Sequence, residues 1–246
     1  MQLLSWNLRQ GHARAECRAL AAALRSDVVF LQESPRPEGP EAQVDWAPVP
    51  GRRWGSGIVV ADGSVRPVPI AGYEGWVAGG EWRRGAATAG IERPFERSFD
   101  RCFVFSVRTP TPNATMKRRS YAAESRAIVQ AIVDAVRGEG AETIIGGDFN
   151  IALGVRGEGE TPVTSRAERL ALEHFRAVVL VSVWQATHPG RPLPQTIRWT
   201  RDPVTPYHCD GFLVSPALAE RVVCEVLEAA RLWRVSDHSP VAVWLL

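Results

Sequence analysis

Residues 143–150 read Thr-Ile-Ile-Gly-Gly-Asp-Phe-Asn. Thr143, Ile144 and Ile145 make a β-prone apolar run, yet it ends on Asp148 and Asn150, polar groups that a core does not want. Taken alone, Gly-Gly-Asp-Phe-Asn also suits a plain turn. The pattern recurs, however. Leu3-Leu4-Ser5-Trp6 runs into Asn7, and Val28-Val29-Phe30-Leu31 runs into Gln32-Glu33. Asp210 precedes the run Gly211 to Val214, and Ser236-Asp237-His238 precedes the last apolar run at 240–245. Each instance alone has an ordinary explanation, such as a cap or a surface charge at a strand end. Together they predict strand ends converging on one crevice, where ligands bind in α/β sheets. Several carboxylates, two amides and an imidazole would then share a small volume. That is costly unless a cation neutralises it, and oxygen donors favour a hard ion such as Mg²⁺ or Mn²⁺ over zinc.

Outward from these segments, the periodicity predicts helices over 13–25, 121–137 and 165–177. Ser165 with Glu168 three residues on forms a capping-box pattern. Further strands are expected at 57–61, 65–70, 101–108, 178–184 and 222–228. Residues 34–53 and 109–119 read as loops, 151–164 as a Gly-rich loop, and 71–101 as long loops or a hairpin. Many strands with a few helices predict an α/β chain built on two packed sheets flanked by helices.

The 246 residues, 45% hydrophobic and 23% charged, suit one large domain over 1–246. A net charge of +2 excludes steering of a polyanion by whole-protein charge and leaves only local patches. Lys117 is the only lysine. Cys17, Cys102, Cys209 and Cys224 form no CxxC pair, so zinc-knuckle and redox motifs are excluded. No basic-then-apolar leader and no membrane-length apolar run is seen, which makes a cytoplasmic location the expectation. Walker, GxSxG, HExxH and dinucleotide motifs are absent. No obligate protein partner is inferred.

The combination resembles the endonuclease/exonuclease/phosphatase superfamily, which has the DNase I-like fold. The resemblance rests on Leu4-Ser5-Trp6-Asn7, Asp27 to Glu33, Gly147-Asp148-Phe149-Asn150, Cys209 to Ser215 and Ser236 to Val241, in the family's order along the whole chain. It implies a four-layer α-β-β-α sandwich with two mixed sheets face to face. It also implies a Mg²⁺-dependent phosphoesterase, with Mn²⁺ as the alternative ion and DNA or RNA as candidate substrates.

Under that resemblance Glu33 is the main metal ligand, with Asn7 and Asp237 close by. Asp148 orients and deprotonates the attacking water, and Asn150 holds the phosphate. His238 donates to a non-bridging oxygen, and Asp210 fixes its tautomer. Arg108 stands where the family usually carries His or Tyr, and an arginine there can clamp phosphate bidentately. Ser34-Pro35 after Glu33 departs from the pattern of abasic-site endonucleases. A phosphatase for a small-molecule or lipid phosphate ester uses the same residues, and an inactive scaffold on this fold is the third reading. Arg83, Arg84, Arg93, Arg97 and Lys117-Arg118-Arg119 are candidates for a backbone groove, and Trp76, Trp82 and Trp199 for stacking surfaces.

Overall fold

Alternation of side chains along the first strand sorts the molecule into layers. In the computed structural model, which describes residues 1–85, 101–110, 120–199 and 202–246, β1 (Gln2–Asn7) sends Leu3 to one face and Leu4 and Trp6 to the other. The chain continues through α1 (Arg14–Leu24), β2 (Val28–Ser34), β3 (Val44–Pro48), β4 (Gly55–Val60), β5 (Ser64–Pro67), β6 (Val77–Arg83) and β7 (Arg101–Arg108). Then follow α2 (Tyr121–Ala135), β8 (Glu142–Asp148), α3 (Arg166–Ala177), β9 (Val181–Ser182), α4 (Val183–Thr187), β10 (Ile197–Trp199) and β11 (Asp202–Tyr207). The last elements are β12 (Asp210–Val214), α5 (Pro216–Ala219), β13 (Val222–Val226) and β14 (Val241–Leu245).

Two six-stranded sheets form, in the orders β13-β14-β1-β2-β4-β3 and β5-β6-β7-β8-β12-β9, beside a β10-β11 ribbon. Leu3, Val28 and Phe30 of the first sheet meet Val104, Ile144 and Phe212 of the second in the central core. Phe30 and Phe212 pack edge to face at 5.2 Å. The alternate residues Leu4, Trp6, Val29 and Leu31 face outward with Cys17 of α1. Phe103, Phe105, Ile145 and Leu213 face the other way, onto Ile128 and Ile132 of α2 and Leu172 and Phe175 of α3. The expected α/β four-layer sandwich of two mixed sheets is therefore present. The capping box of α3 forms as expected, Ser165 and Glu168 each capping the other's backbone N–H.

One parallel pair lies inside each sheet, β1 with β2 and β7 with β8; the other pairings are antiparallel. The parallel strands end on Asn7, Gln32-Glu33, Arg108 and Asp148, while β12 begins at Asp210, opposite Asp148. Gly147 permits this density, since a Cβ there would lie 1.9 Å from the Val107 carbonyl oxygen.

Two expectations, for 34–53 and 178–184, are corrected, and the hairpin alternative for 71–101 is made specific, since β6 pairs antiparallel with β7. The 34–53 loop contains β3, a half-buried edge strand closed by Pro48 that lacks a clean apolar pattern. The 71–101 segment contains β6, hidden by two glycines; Gly79 is needed because a Cβ would strike the Val104 carbonyl at 2.0 Å. Of 178–184, only Val181 and Ser182 pair with β12, after which the chain turns into α4 and buries Val183. Tertiary packing overrides the β propensity of that valine-rich run. Residues 86–100 and 111–119, with Arg93, Arg97 and Lys117 to Arg119, lie outside the described residues. Among the described residues, no helix is long and apolar enough to cross a membrane.

Candidate active site at the strand ends

Three side-chain links join the sheets at this end. Gln32, fully buried, donates to Ser106 Oγ at 2.9 Å, and Ser106 donates to the Leu31 carbonyl at 2.8 Å. Asn7 Nδ2 donates to Asp148 Oδ2 at 3.1 Å. Arg108 Nε donates to Glu33 Oε1 at 2.8 Å. Gln32 thus ties one sheet to the other, which explains a polar residue inside an apolar strand.

Asp148 is buried and held from both sides. Its Oδ1 accepts the Asn150 backbone N–H at 3.1 Å, while its Oδ2 takes the Asn7 amide. Asn150 sits in the left-handed region at φ 53° and donates from Nδ2 to the Thr109 carbonyl at 2.9 Å. Between them Phe149 is buried against Phe175, anchoring the turn in the core under α3. The turn is thereby pre-organised.

Across the β8–β12 pair, Asp210 meets His238. Both carboxylate oxygens lie within 3.0 Å of Nδ1, so Nδ1 carries the proton and Nε2 faces away from Asp210. Burial alone would lower the His238 pKa, but the carboxylates of Asp210, Asp148 and Asp237 outweigh it and raise it above the usual range. Burial also raises the Asp210 pKa, opposed by its bond to His238. The Asp210 carboxylate thus favours the charged imidazolium. Trp6 Nε1 donates to the His238 carbonyl at 2.8 Å, and Ser236 Oγ donates to the Asn7 carbonyl at 2.8 Å. These bonds seat the 236–238 loop, and Asp237 with it, beside the end of β1.

Glu33 follows a register shift in β2 and adopts φ 47°, a strained backbone for a glutamate. The strain turns its carboxylate toward Arg108 instead of along the strand. Arg108 was expected to offer phosphate a bidentate fork. Its Nε edge is spent on Glu33, and Trp54 and Trp76 flank the guanidinium, with ring centroids at 5.2 and 5.3 Å. Trp54 and Trp76 were not singled out with Arg108, because 32 or more residues separate them in sequence. Of the expected stacking surfaces, Trp82 is core at 1% exposure and Trp199 is 50% exposed. Arg83 is bound to Glu81, and Arg84 lies over Trp82.

Every nominated residue except Asp237 is linked to another by a hydrogen bond, and Asp237 acts on His238 through its charge. Four carboxylates at this rim, Glu33, Asp148, Asp210 and Asp237, face two cations, Arg108 and His238. That excess suits a divalent ion. Ligand-capable atoms of Asp148, Asp210 and His238 lie within 4.8 Å of one another. That trio spends Asp210 and Nδ1 on each other, just as Glu33 Oε1 is paired with Arg108 and Asn7 Oδ1 accepts the Arg9 backbone N–H at 3.0 Å. Glu33, Asn7 and Asp237 are oxygen donors, the type a hard ion takes.

Fold and rim define a two-sheet α/β sandwich whose polar and charged groups gather at converging strand ends. The Endonuclease/Exonuclease/phosphatase family model matches residues 4–238. The chain belongs to that family, whose members hydrolyse phosphate esters. No curated protein matches it significantly. Among solved structures, an AP endonuclease from Archaeoglobus fulgidus is similar with TM-score 0.71 and 15% identity, over 100% of this chain and 99% of that one. The AP endonuclease LMAP from Leishmania major gives 0.71 and 16%, over 99% and 87%. The 3' phosphatase NExo from Neisseria, bound to a product DNA hairpin, gives 0.71 and 19%, over 100% and 99%.

Proposed function

We propose that the chain, as a single domain over 1–246, is a Mg²⁺- or Mn²⁺-dependent phosphodiesterase acting on nucleic acid. The observation that carries this reading is the buried Asp148, fixed by Asn7 and Asn150 and next to the Asp210–His238 pair. Asp148 orients a water and takes its proton as the water oxygen bonds to phosphorus and the ester P–O bond breaks. His238 donates to a non-bridging oxygen, where charge grows. Asp210 accepts the Nδ1–H and favours the charged imidazolium, so that Nε2 also carries a proton to donate, and the Asn150 side chain holds the phosphate. Glu33, with Asn7 and Asp237, would hold the ion, which would supply neutralisation of charge on the phosphoryl and leaving oxygens.

Nucleic acid is favoured by a cavity of about 220 Å³ beside Asn150, lined in part by Tyr121, Trp199 and Tyr207. Aromatic faces next to a phosphate site suit bases and sugars. The three similar structures are described as AP endonucleases and a 3' phosphatase, one of them with DNA. A small-molecule phosphatase is the second reading, since the same rim serves monoesters. The test is incubation with Mg²⁺ and plasmid DNA, a bis-aryl phosphodiester or phosphomonoesters, each with a chelator control. Plasmid nicking lost in Asp148→Ala and with chelator is the expected result. Release from monoesters alone would select the phosphatase, and metal-independent silence on all three the scaffold.

A further inference from the structure

Arg108 is a cation that the proposed chemistry leaves without a task. It sits on the carboxylate assigned to the ion. Its Nε donates to Glu33 Oε1 at 2.8 Å, and its Nη1 reaches the Thr109 carbonyl at 3.4 Å. Its own backbone N–H donates to the Trp76 carbonyl at 2.9 Å. The guanidinium lies 5.2 Å from the Trp54 ring centre and 5.3 Å from that of Trp76, and the two indoles meet edge to face. Both the Arg108 and Glu33 side chains are only 13% exposed. Two indole faces and a carboxylate therefore fix this charge in one place.

Resting on the reading that Glu33 holds the divalent ion, we propose that Arg108 is a positioning residue and a built-in competitor for that ion. The ion pair commits Oε1 of Glu33, so Oε2 is the oxygen that would be offered to the ion. A guanidinium cannot shed its proton near neutral pH, so its charge repels a second cation at the same carboxylate. The tryptophans oppose its swinging aside. Arg108 thus holds the carboxylate pointed and balanced before the ion arrives, and it keeps the ion's affinity down.

The test is Mn²⁺ titration of the full chain, read by the electron paramagnetic resonance of free Mn²⁺, with circular dichroism to confirm folding. Arg108→Gln removes the charge and is expected to bind Mn²⁺ about tenfold more tightly. Arg108→Lys keeps the charge and should stay within about threefold of wild type. Trp76→Leu, which loosens the guanidinium without deleting it, should tighten binding by about threefold. Unchanged or weaker binding in both Arg108→Gln and Trp76→Leu overturns the inference. If Glu33→Gln abolishes Mn²⁺ binding while those two variants match wild type, this inference alone falls. If Glu33→Gln binds as well as wild type, the assignment of the ion to Glu33 falls with it.

Discussion

Strand β7 carries an arginine at each end, Arg101 and Arg108, about 23 Å apart for an eight-residue strand. Each is bonded to a glutamate, and the two ends solve opposite problems. At the Arg101 end one carboxylate, Glu81, takes three guanidiniums, from Arg66, Arg83 and Arg101. Glu81 is 1% exposed, covered by these arginines, two of which are themselves mostly in solvent. Burial raises its pKa, but the hydrogen bonds from Arg101, Arg66 and Arg83 outweigh that and hold it at about 2. At the Arg108 end, four carboxylates share two cations. One end has enough positive charge to be self-sufficient, and the other is left short of it. Local charge balance, with the same two residue types, separates a structural clasp from the candidate active site.

The largest effect should come from breaking the anionic end. Asp148→Asn is expected to lower kcat by about 10³-fold or more, within the range for loss of a general base, with the melting temperature little changed. Steady-state hydrolysis and calorimetry on the same sample check it. His238→Ala removes one donor to the phosphate and should cost about 10²-fold in kcat.

Glu81→Gln attacks the other end and should do the reverse. It is expected to lower stability by about 1–2 kcal/mol, discounted because the arginines are partly solvated, with kcat per folded molecule unchanged. Urea midpoints measure this. The difference between wild type and Glu81→Gln also has a defined pH dependence. The folded pKa lies below the usual 4.5, so the contribution is fully present above about 4.5 and fades as pH falls toward 2. Urea midpoints that converge between pH 5 and pH 2.5 bear this out; a constant gap contradicts it. The smallest effect is expected from Arg66→Ala, whose side chain is 66% exposed: under about 1 kcal/mol in the same assay.

The rim was legible because each of its residues interrupts an apolar run, a cost visible in one dimension. The central strands were legible from the apolar runs at their middles, Leu3-Leu4, Val28 to Leu31, Cys102 to Phe105 and Ile144-Ile145. What the sequence concealed depends on a second segment. Arg108 was read as an open phosphate clamp because Glu33, 75 residues away, becomes its partner only when the two parallel pairs face each other. Strand β6 was hidden by Gly79, which lets β7 approach, by Gly80, which lets the backbone at Arg66 of β5 approach, and by Glu81, whose burial makes sense only with Arg66, Arg83 and Arg101 in place. The β10–β11 ribbon is short and carries Trp199 in solvent, so it shows no alternation to read.

Phe149 deserves a last consequence. Its ring is rooted beneath α3 while its two neighbours in sequence, Asp148 and Asn150, reach into the rim. Whatever loosens the outer helix, a shortened Phe175 for instance, would tug on Asp148 and Asn150 together. With the roles proposed for those two residues, turnover would be detuned from the buried layer beneath the outer helix, without touching a single atom that meets the substrate.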